Sequence, residues 1–192
     1  MHAPARLETG RLLLCRPQAA DAAEIYDRYS GDPEVTRFLG WARHRSVADA
    51  EAFLEFSEAQ WTKWPAGPYL IRSRDDSRLL GGTGFGFERL DAAATGYVLA
   101  RDAWGCGIAT EALGAIVEIA RVIGLIRVYA LCHPDHAASR RVLEKCGFTR
   151  DPTWSDRVEF PNLAAGVMLT PLCFVMNPSD DRASLEHHNL CR

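Results

Sequence analysis

A glycine turn between an apolar strand and a helix constrains this chain more than any other feature. The run from Val98 to Leu113 reads VLARDAWGCGIATEAL, and its helical pattern begins at Ile108. Gly105 and Gly107 allow the backbone to bend sharply and to approach a ligand closely. The N-terminus of a helix offers unpaired N–H groups and the positive end of its dipole, so this turn predicts a site for a phosphate or pyrophosphate.

Length and composition predict one domain. The chain has 192 residues, of which 47% are hydrophobic, which suffices for a single sizeable core. We expect this domain to be followed by a loosely ordered polar tail at 177–192. The net charge of -3 gives no excess of positive charge that would favour nucleic acid or an anionic membrane surface.

The apolar runs and the cysteines narrow the class of protein further. No apolar run approaches the roughly 20 residues of a membrane helix, and the first residues lack the pattern of a secretory signal, so we expect a cytoplasmic protein. The six cysteines form no CxxC pair and are predicted to be free thiols. His133 and His136 form an HxxH pair, but no neighbouring ligands complete a tetrahedral set, so no metal is predicted.

Hydrophobic periodicity and the positions of glycine and proline predict alternating helices and strands. Helices are expected at 21–29, 47–61, 108–122 and 137–146. Strands are expected at 12–15, 69–72, 79–87, 93–99, 126–131, 154–158 and 166–176.

Two other phosphate-binding motifs fail on particular residues. In a dinucleotide-binding GxGxxG motif the third glycine would fall at Thr110, and the next strand ends in LCH, at 131–133, where an acidic ribose ligand is wanted. A Walker loop is excluded because the sequence contains no GxxxxGK[ST]. The anion is therefore expected to be held by backbone amides.

Several segments together resemble a known family. The glycine turn resembles the acyl-CoA pyrophosphate loop of the GNAT superfamily of N-acetyltransferases, and HPDHAASRRVLEKCGF, from His133 to Phe148, resembles the second CoA-binding element of its ribosomal-protein (Rim-type) branch. Further agreement comes from LETGRLLL at 7–14, DPEV at 32–35 and FPN at 160–162. The resemblance covers about residues 7–176.

The resemblance implies an α/β (α+β) domain with a mixed, largely antiparallel central sheet flanked by helices. It also implies acetyl transfer from acetyl-CoA, as co-substrate, to a primary amine by direct attack in a ternary complex, without metal. The acceptor is expected to be a protein N-terminal α-amine or a small-molecule amine. The oligomeric state stays open between monomer and homodimer.

The resemblance also assigns site residues. The strand holding Tyr97, Val98 and Leu99 would pair with the pantetheine arm of the coenzyme, and Ser139 would protonate the departing thiolate. His136 occupies the position of a frequent asparagine that contacts the coenzyme. The pyrophosphate loop would comprise Trp104, Gly105, Cys106, Gly107, Ile108, Ala109 and Thr110. In this direct reaction Cys106 has no covalent role.

Three residues are candidate general bases: Tyr97, Glu111 and His136. The ordinary role of Glu111, in the first turn of a helix, is to satisfy backbone donors and the helix dipole.

Ala94 stands where the family often has an acidic residue. Two alternative functions therefore stay open: a non-catalytic CoA-binding sensor or interaction module, and the transfer of a longer acyl group. The aromatic residues Trp41, Trp61, Trp64 and Tyr69 could line the acceptor cleft, but aromatic residues at helical spacing are more typical of a core, and only Trp41 lies in a loop, a basic one, where it could meet substrate.

Overall fold

An eight-stranded sheet organises the part of the chain that the structure, a computed structural model, describes, residues 1–179. Helices cover both faces of this mostly antiparallel sheet, which confirms the predicted fold class. The strands are β1 (Arg6–Glu8), β2 (Leu12–Cys15), β3 (Pro68–Ser73), β4 (Leu79–Arg89), β5 (Ala92–Leu99), β6 (Arg127–Cys132), β7 (Thr149–Asp151), β8 (Val158–Glu159), β9 (Met168–Leu169) and β10 (Leu172–Met176).

The strand order in the large sheet is β1-β2-β3-β4-β5-β6-β10-β7, and β8 and β9 form a separate hairpin. Every neighbouring pair is antiparallel except β5 and β6. A parallel pair needs a long crossover connection. Here the crossover consists of the glycine turn and the helix that follows it, so both lie at the end of β5.

Five α-helices surround the sheet in the described residues: α1 (Ala22–Ile25), α2 (Pro33–Thr36), α3 (Val47–Lys63), α4 (Ile108–Ile123) and α5 (Ala137–Lys145). A 3₁₀ turn at Ala19–Asp21 precedes α1 and a π turn at Tyr26–Ser30 follows it. The sequence missed α2, whose N-terminus is capped by the Asp32 carboxylate; this accepts hydrogen bonds from the amides of Glu34 and Val35 at 2.8 and 3.3 Å.

Successive residues of the strands face two different cores. In β3, Tyr69 and Ile71 join the core under α4 and α5, whereas Leu70 joins the core under α1 and α3. In β5, Tyr97 packs on the first core and Val98 on the second. This alternation is what a strand buried on both faces requires, and it means that β5 presents side chains to both layers.

The closing strands differ from the prediction. The prediction of a strand at 154–158 is wrong, because the described chain is irregular until β8 begins at Val158. The sequence also did not predict β7. The strand expected at 166–176 is divided into β9 and β10 by Thr170-Pro171, where proline has no N–H to donate. Most of the predicted polar tail, residues 180–192, lies outside the described residues.

No helix within residues 1–179 combines the length and the apolar composition that crossing a bilayer would require.

Candidate functional site

The parallel strands β5 and β6 separate partway along their length. Their pairing runs from Ala92 opposite Arg127 to Ala94 opposite Tyr129, although β5 continues to Leu99 and β6 to Cys132. From Thr95 onward, the edge of β5 that faces β6 therefore has no strand partner. Such an edge offers N–H and C=O groups that an extended ligand can pair with.

A cavity of about 860 Å³ lies where the two strands separate. This volume is within the usual range for small-molecule sites. Of the predicted site residues, the cavity brings together Tyr97, Val98, His136 and Ser139. Leu99 and the loop residues 104–110 are not part of its lining; they continue from the end of β5 to the start of α4.

Tyr97 and Ser139 are directly joined inside this cavity. The Tyr97 hydroxyl lies 2.9 Å from Ser139 Oγ and donates to the Ser139 backbone carbonyl at 3.0 Å. Burial raises the pKa of Tyr97 well above its usual range, so the side chain is a protonated phenol near neutral pH. Tyr97 is thus suited to donate a hydrogen bond, and its candidacy as a general base loses support.

His136 lines the cavity at the N-terminus of α5, and its ring stacks on Phe38 with centroids 4.7 Å apart. Burial, followed by the neighbouring His133, lowers the pKa of His136. The imidazole is therefore neutral near pH 7 and has a lone pair available to accept a proton.

The glycine turn has the backbone geometry that its sequence demands. Gly105 and Gly107 have φ angles of 74° and 77°, in the left-handed region that favours glycine. Within residues 1–179, the N–H groups of Gly105, Cys106 and Gly107 donate to no backbone acceptor. The first amides of α4 also lack partners within the helix, so the turn presents a row of free donors.

Two side chains fix the outer parts of this turn. The Trp104 indole N–H donates to the Leu99 carbonyl at 2.8 Å, and the Arg11 guanidinium donates to the Cys106 carbonyl at 2.9 Å. The Cys106 thiol points to the Trp104 carbonyl at 3.4 Å and does not line the cavity. The turn is therefore held through its carbonyls while its N–H groups stay free.

Glu111 contacts the β1–β2 hairpin instead of the cavity. Its carboxylate accepts hydrogen bonds from the Thr9 hydroxyl and from the Arg11 amide and guanidinium, the latter two at 2.8 and 2.7 Å. Burial raises the pKa of Glu111, but these hydrogen bonds outweigh it and the pKa lies below its ordinary value. Glu111 is thus a structural residue that ties α4 to the hairpin, and its candidacy as a base loses support.

We expect Glu111→Gln to lower the free energy of unfolding by about 2 kcal/mol at pH 7, because charge-assisted hydrogen bonds are lost. A carboxyl with a depressed pKa stabilises the fold above its ordinary pKa, here 4.5, and loses that contribution as the pH falls through its lowered value. The difference in the free energy of unfolding between wild type and variant should therefore shrink as the pH falls below 4.5. Urea unfolding at pH 7 and below pH 4 measures both.

Glu118→Gln is the matched control, since Glu118 lies on the same helix with a largely exposed side chain paired to Arg121. It should change stability by less than about 0.5 kcal/mol. A pH-independent effect of Glu111→Gln would contradict the role of its charge.

Aromatic side chains form one wall of the cavity, and of these the sequence singled out Trp41 and missed the others. We call this set the acceptor wall: Phe38, Trp41, Phe53, Phe56 and Phe160. Asp49 and Glu159 also line the cavity and are its only carboxylates among the described residues. Ala94, where a carboxylate was expected, does not line it. No local sequence signal could have joined the members of this wall, because they come from segments about 100 residues apart.

The other aromatic residues divide as the sequence suggested. Trp61 is buried and donates its indole N–H to the Pro68 carbonyl at 2.8 Å, and Trp64 stacks on Phe87. Neither lines the cavity. Tyr69 contributes to the lining, but its hydroxyl donates to the Pro4 carbonyl at 2.7 Å.

The histidine pair belongs to this aromatic arrangement. The rings of His133 and His136 both pack on Phe38, with centroids 5.1 and 4.7 Å away. Residues 1–179 contain no group of three or more His, Cys, Asp or Glu side chains placed to hold a metal. The five cysteines in that range are free thiols, and Cys191 lies outside it.

Comparison with known proteins adds independent findings. Residues 11–149 match the model of the acetyltransferase (GNAT) domain family. The uncharacterized N-acetyltransferase YoaA of Bacillus subtilis is 31% identical over 148 residues, which are 76% of this chain and 83% of that protein.

Two solved structures share the fold. One is RimL, the ribosomal L7/L12 α-N-protein acetyltransferase in complex with coenzyme A, with a TM-score of 0.74, 18% identity and coverage of 91% of this chain and 97% of that one. The other is the microcin C7 self-immunity acetyltransferase MccE in complex with acetyl-CoA and AMP, with a TM-score of 0.76, 20% identity and coverage of 91% and 97%.

Proposed function

Because this chain belongs to the GNAT acetyltransferase family, we propose that it moves the acetyl group of acetyl-CoA to a primary amine by direct attack in a ternary complex. Membership of the family makes the protein an acetyl-CoA-dependent acyltransferase. One observation carries the proposal: the free amides of the glycine turn continue into the unpaired edge of β5, which leads to the Tyr97–Ser139 pair in the cavity.

The residues present fit the coenzyme along this path. The N–H groups of 105–110 suit the two negative charges of a pyrophosphate. The edge of β5 at Tyr97 and Val98 suits the amides of a pantetheine arm, which pair as an added strand would. The bound coenzyme would supply an acetyl group activated as a thioester.

Ser139 is the proposed general acid. Its hydroxyl can donate to the departing sulfur once the Tyr97 phenol, whose oxygen lies 2.9 Å from Oγ, turns its one proton from the Ser139 carbonyl to Oγ. Tyr97 thereby orients the serine hydroxyl and compensates the charge it takes on. Backbone N–H groups of β5 would polarise the thioester carbonyl. The main contributions to the rate are then the positioning of the two substrates and the electrostatic stabilisation of the transition state.

The acceptor amine must lose a proton before it attacks. An α-amine titrates near 7.7–8.0 and is partly neutral at pH 7, so it needs little help from a base. Neutral His136 lines the same cavity and is the proposed proton acceptor. We keep a protein N-terminal α-amine and a small-molecule amine as acceptor classes. The Rim-type assignment, which favours the first, is supported by the segment 133–148.

The test is titration calorimetry of the protein with acetyl-CoA, followed by a free-thiol assay with N-terminal peptides and small amines. Binding followed by amine-dependent thiol release is the expected result. Binding without release for every amine would favour the non-catalytic sensor, and absence of binding would overturn the assignment of the glycine turn. Comparison with longer thioesters tests the acyl group.

A further inference from the structure

The acceptor wall is exposed at one side of the cavity. Trp41 and Phe56 keep 37% and 53% of their surface accessible, although large apolar side chains are usually more buried. Both border the same cavity as Phe38, Phe53 and Phe160. Exposed aromatic surface that continues into a cavity is typical of a site for an apolar ligand.

One side chain from a distant loop joins the part of the wall at Phe38 and Trp41 to the part at Phe160. The Asn162 amide donates to the carbonyls of Thr36 and Trp41, both at 2.8 Å, and its carbonyl oxygen accepts from the Arg43 amide at 2.8 Å. Asn162 therefore joins the segment before α3 to the segment after β8. Because these contacts form within the protein itself, the wall is organised before an acceptor binds.

Apart from histidines, the charged side chains that line the cavity are of one sign. Asp49 and Glu159 line it, and no Lys or Arg of the described residues does. The Asp49 carboxylate accepts a hydrogen bond from the Arg45 amide at 2.7 Å, which holds the pKa of Asp49 below its ordinary value. Burial lowers the pKa of His44 and of His136, so neither adds a positive charge near neutral pH.

Nearby arginines do not change this balance at the lining. The Arg37 guanidinium lies over the Phe38 ring, 5.1 Å from its centroid, and the Arg43 guanidinium donates to the Gly31 carbonyl at 3.2 Å. Neither side chain belongs to the lining. The cavity thus combines aromatic surface with two carboxylates, an environment that favours an ammonium group and disfavours a carboxylate or phosphate.

We propose that the acceptor is a primary amine attached to an aromatic or other large apolar group, with no carboxylate or phosphate close to the amine. This rests on the proposed function and narrows its acceptor class. In the reaction the amine nitrogen forms a bond to the acetyl carbon and the C–S bond breaks. The acetyl group moves to nitrogen, the sulfur leaves as the coenzyme A thiol, and the protonated amine releases one proton to solvent.

Two matched pairs of amines test this proposal: phenethylamine against phenylalanine for the absence of a carboxylate, and phenethylamine against ethylamine for the apolar group. Calorimetry measures the binding of each amine to the protein–coenzyme A complex, and thiol release with acetyl-CoA measures kcat/KM. We expect phenethylamine to bind at least about tenfold more tightly than phenylalanine and several-fold more tightly than ethylamine. Equal or reversed affinities within both pairs would overturn the proposal.

A further amine, phenylalanylglycinamide, distinguishes two acceptors that share this chemistry, the N-terminus of an apolar peptide and a free small-molecule amine. Tighter binding than phenethylamine would assign the site to an apolar peptide N-terminus, and weaker binding would assign it to a free amine. Tight binding of phenethylamine without thiol release would support the acceptor class while contradicting the proposed transfer.

Trp41→Ala tests the wall itself. We expect about tenfold weaker binding of phenethylamine and unchanged affinity for acetyl-CoA, because the lost ring belongs to the acceptor wall and not to the glycine turn or to β5. Trp154→Ala is the matched control, since Trp154 does not line the cavity, and it should leave both affinities unchanged. Unchanged phenethylamine binding in Trp41→Ala would contradict the wall as the acceptor site.

Discussion

Replacing Gly107 with valine is expected to raise the dissociation constant for acetyl-CoA by about 100-fold. Gly107 has φ 77° at the N-terminus of α4, a conformation that a β-branched residue adopts only with strain of about 1–3 kcal/mol. Relief of that strain would turn the neighbouring amides away from the pyrophosphate. Loss of two charge-assisted hydrogen bonds costs about 3 kcal/mol, which corresponds to this factor. Titration calorimetry with acetyl-CoA measures the dissociation constants of wild type and variant.

The opposite end of the same helix provides a matched control. Gly124 has φ 80°, and a Cβ added there would meet nothing within 4 Å, so Gly124→Val introduces comparable strain far from the turn. Both variants should unfold at lower temperature, but Gly124→Val should bind acetyl-CoA within about twofold of wild type. If both variants lose affinity for acetyl-CoA equally, the loss is caused by lower stability of the fold, and the pyrophosphate does not bind at the turn.

Ser139→Ala is expected to lower kcat by about 100-fold and to change the affinity for acetyl-CoA by less than about threefold. General acid catalysis typically contributes at least this factor, whereas the coenzyme would be bound mainly by backbone groups. Stopped assays at saturating acetyl-CoA give kcat, and calorimetry gives the affinity. Equal losses in turnover and in coenzyme binding would remove the proposed acid role.

Tyr97→Phe separates orientation from proton donation. It keeps the ring but removes the hydroxyl that lies 2.9 Å from Ser139 Oγ, so we expect about a tenfold lower kcat with an unchanged fold. Since the two residues act as one unit, the double variant should resemble Ser139→Ala alone. A double variant whose loss equals the product of the two single losses would show that Tyr97 acts independently of Ser139.

Much of the fold could be predicted because helices and turns depend on nearby residues. The predicted helix at 47–61 corresponds to α3, Val47–Lys63, which begins with a capping box formed by Ser46 and Asp49. The predicted helix at 108–122 corresponds to α4, which ends at Gly124 in the left-handed conformation. The irregular chain before β8 was mispredicted, because its apolar residues pack on distant segments instead of forming a paired strand. Trp154, for example, packs near Tyr129.

The sequence by itself determined the family and the class of chemistry, because the glycine turn and the segment of Ser139 are each encoded in a short run of residues. The tertiary structure decided what those runs could not encode. It directs Glu111 to the β1–β2 hairpin, separates β5 from β6 beyond Ala94, and builds the acceptor wall around Asn162. Contacts such as Asn162 to Trp41 join residues 121 positions apart. They depend on how the sheet brings distant loops together, which no local pattern contains.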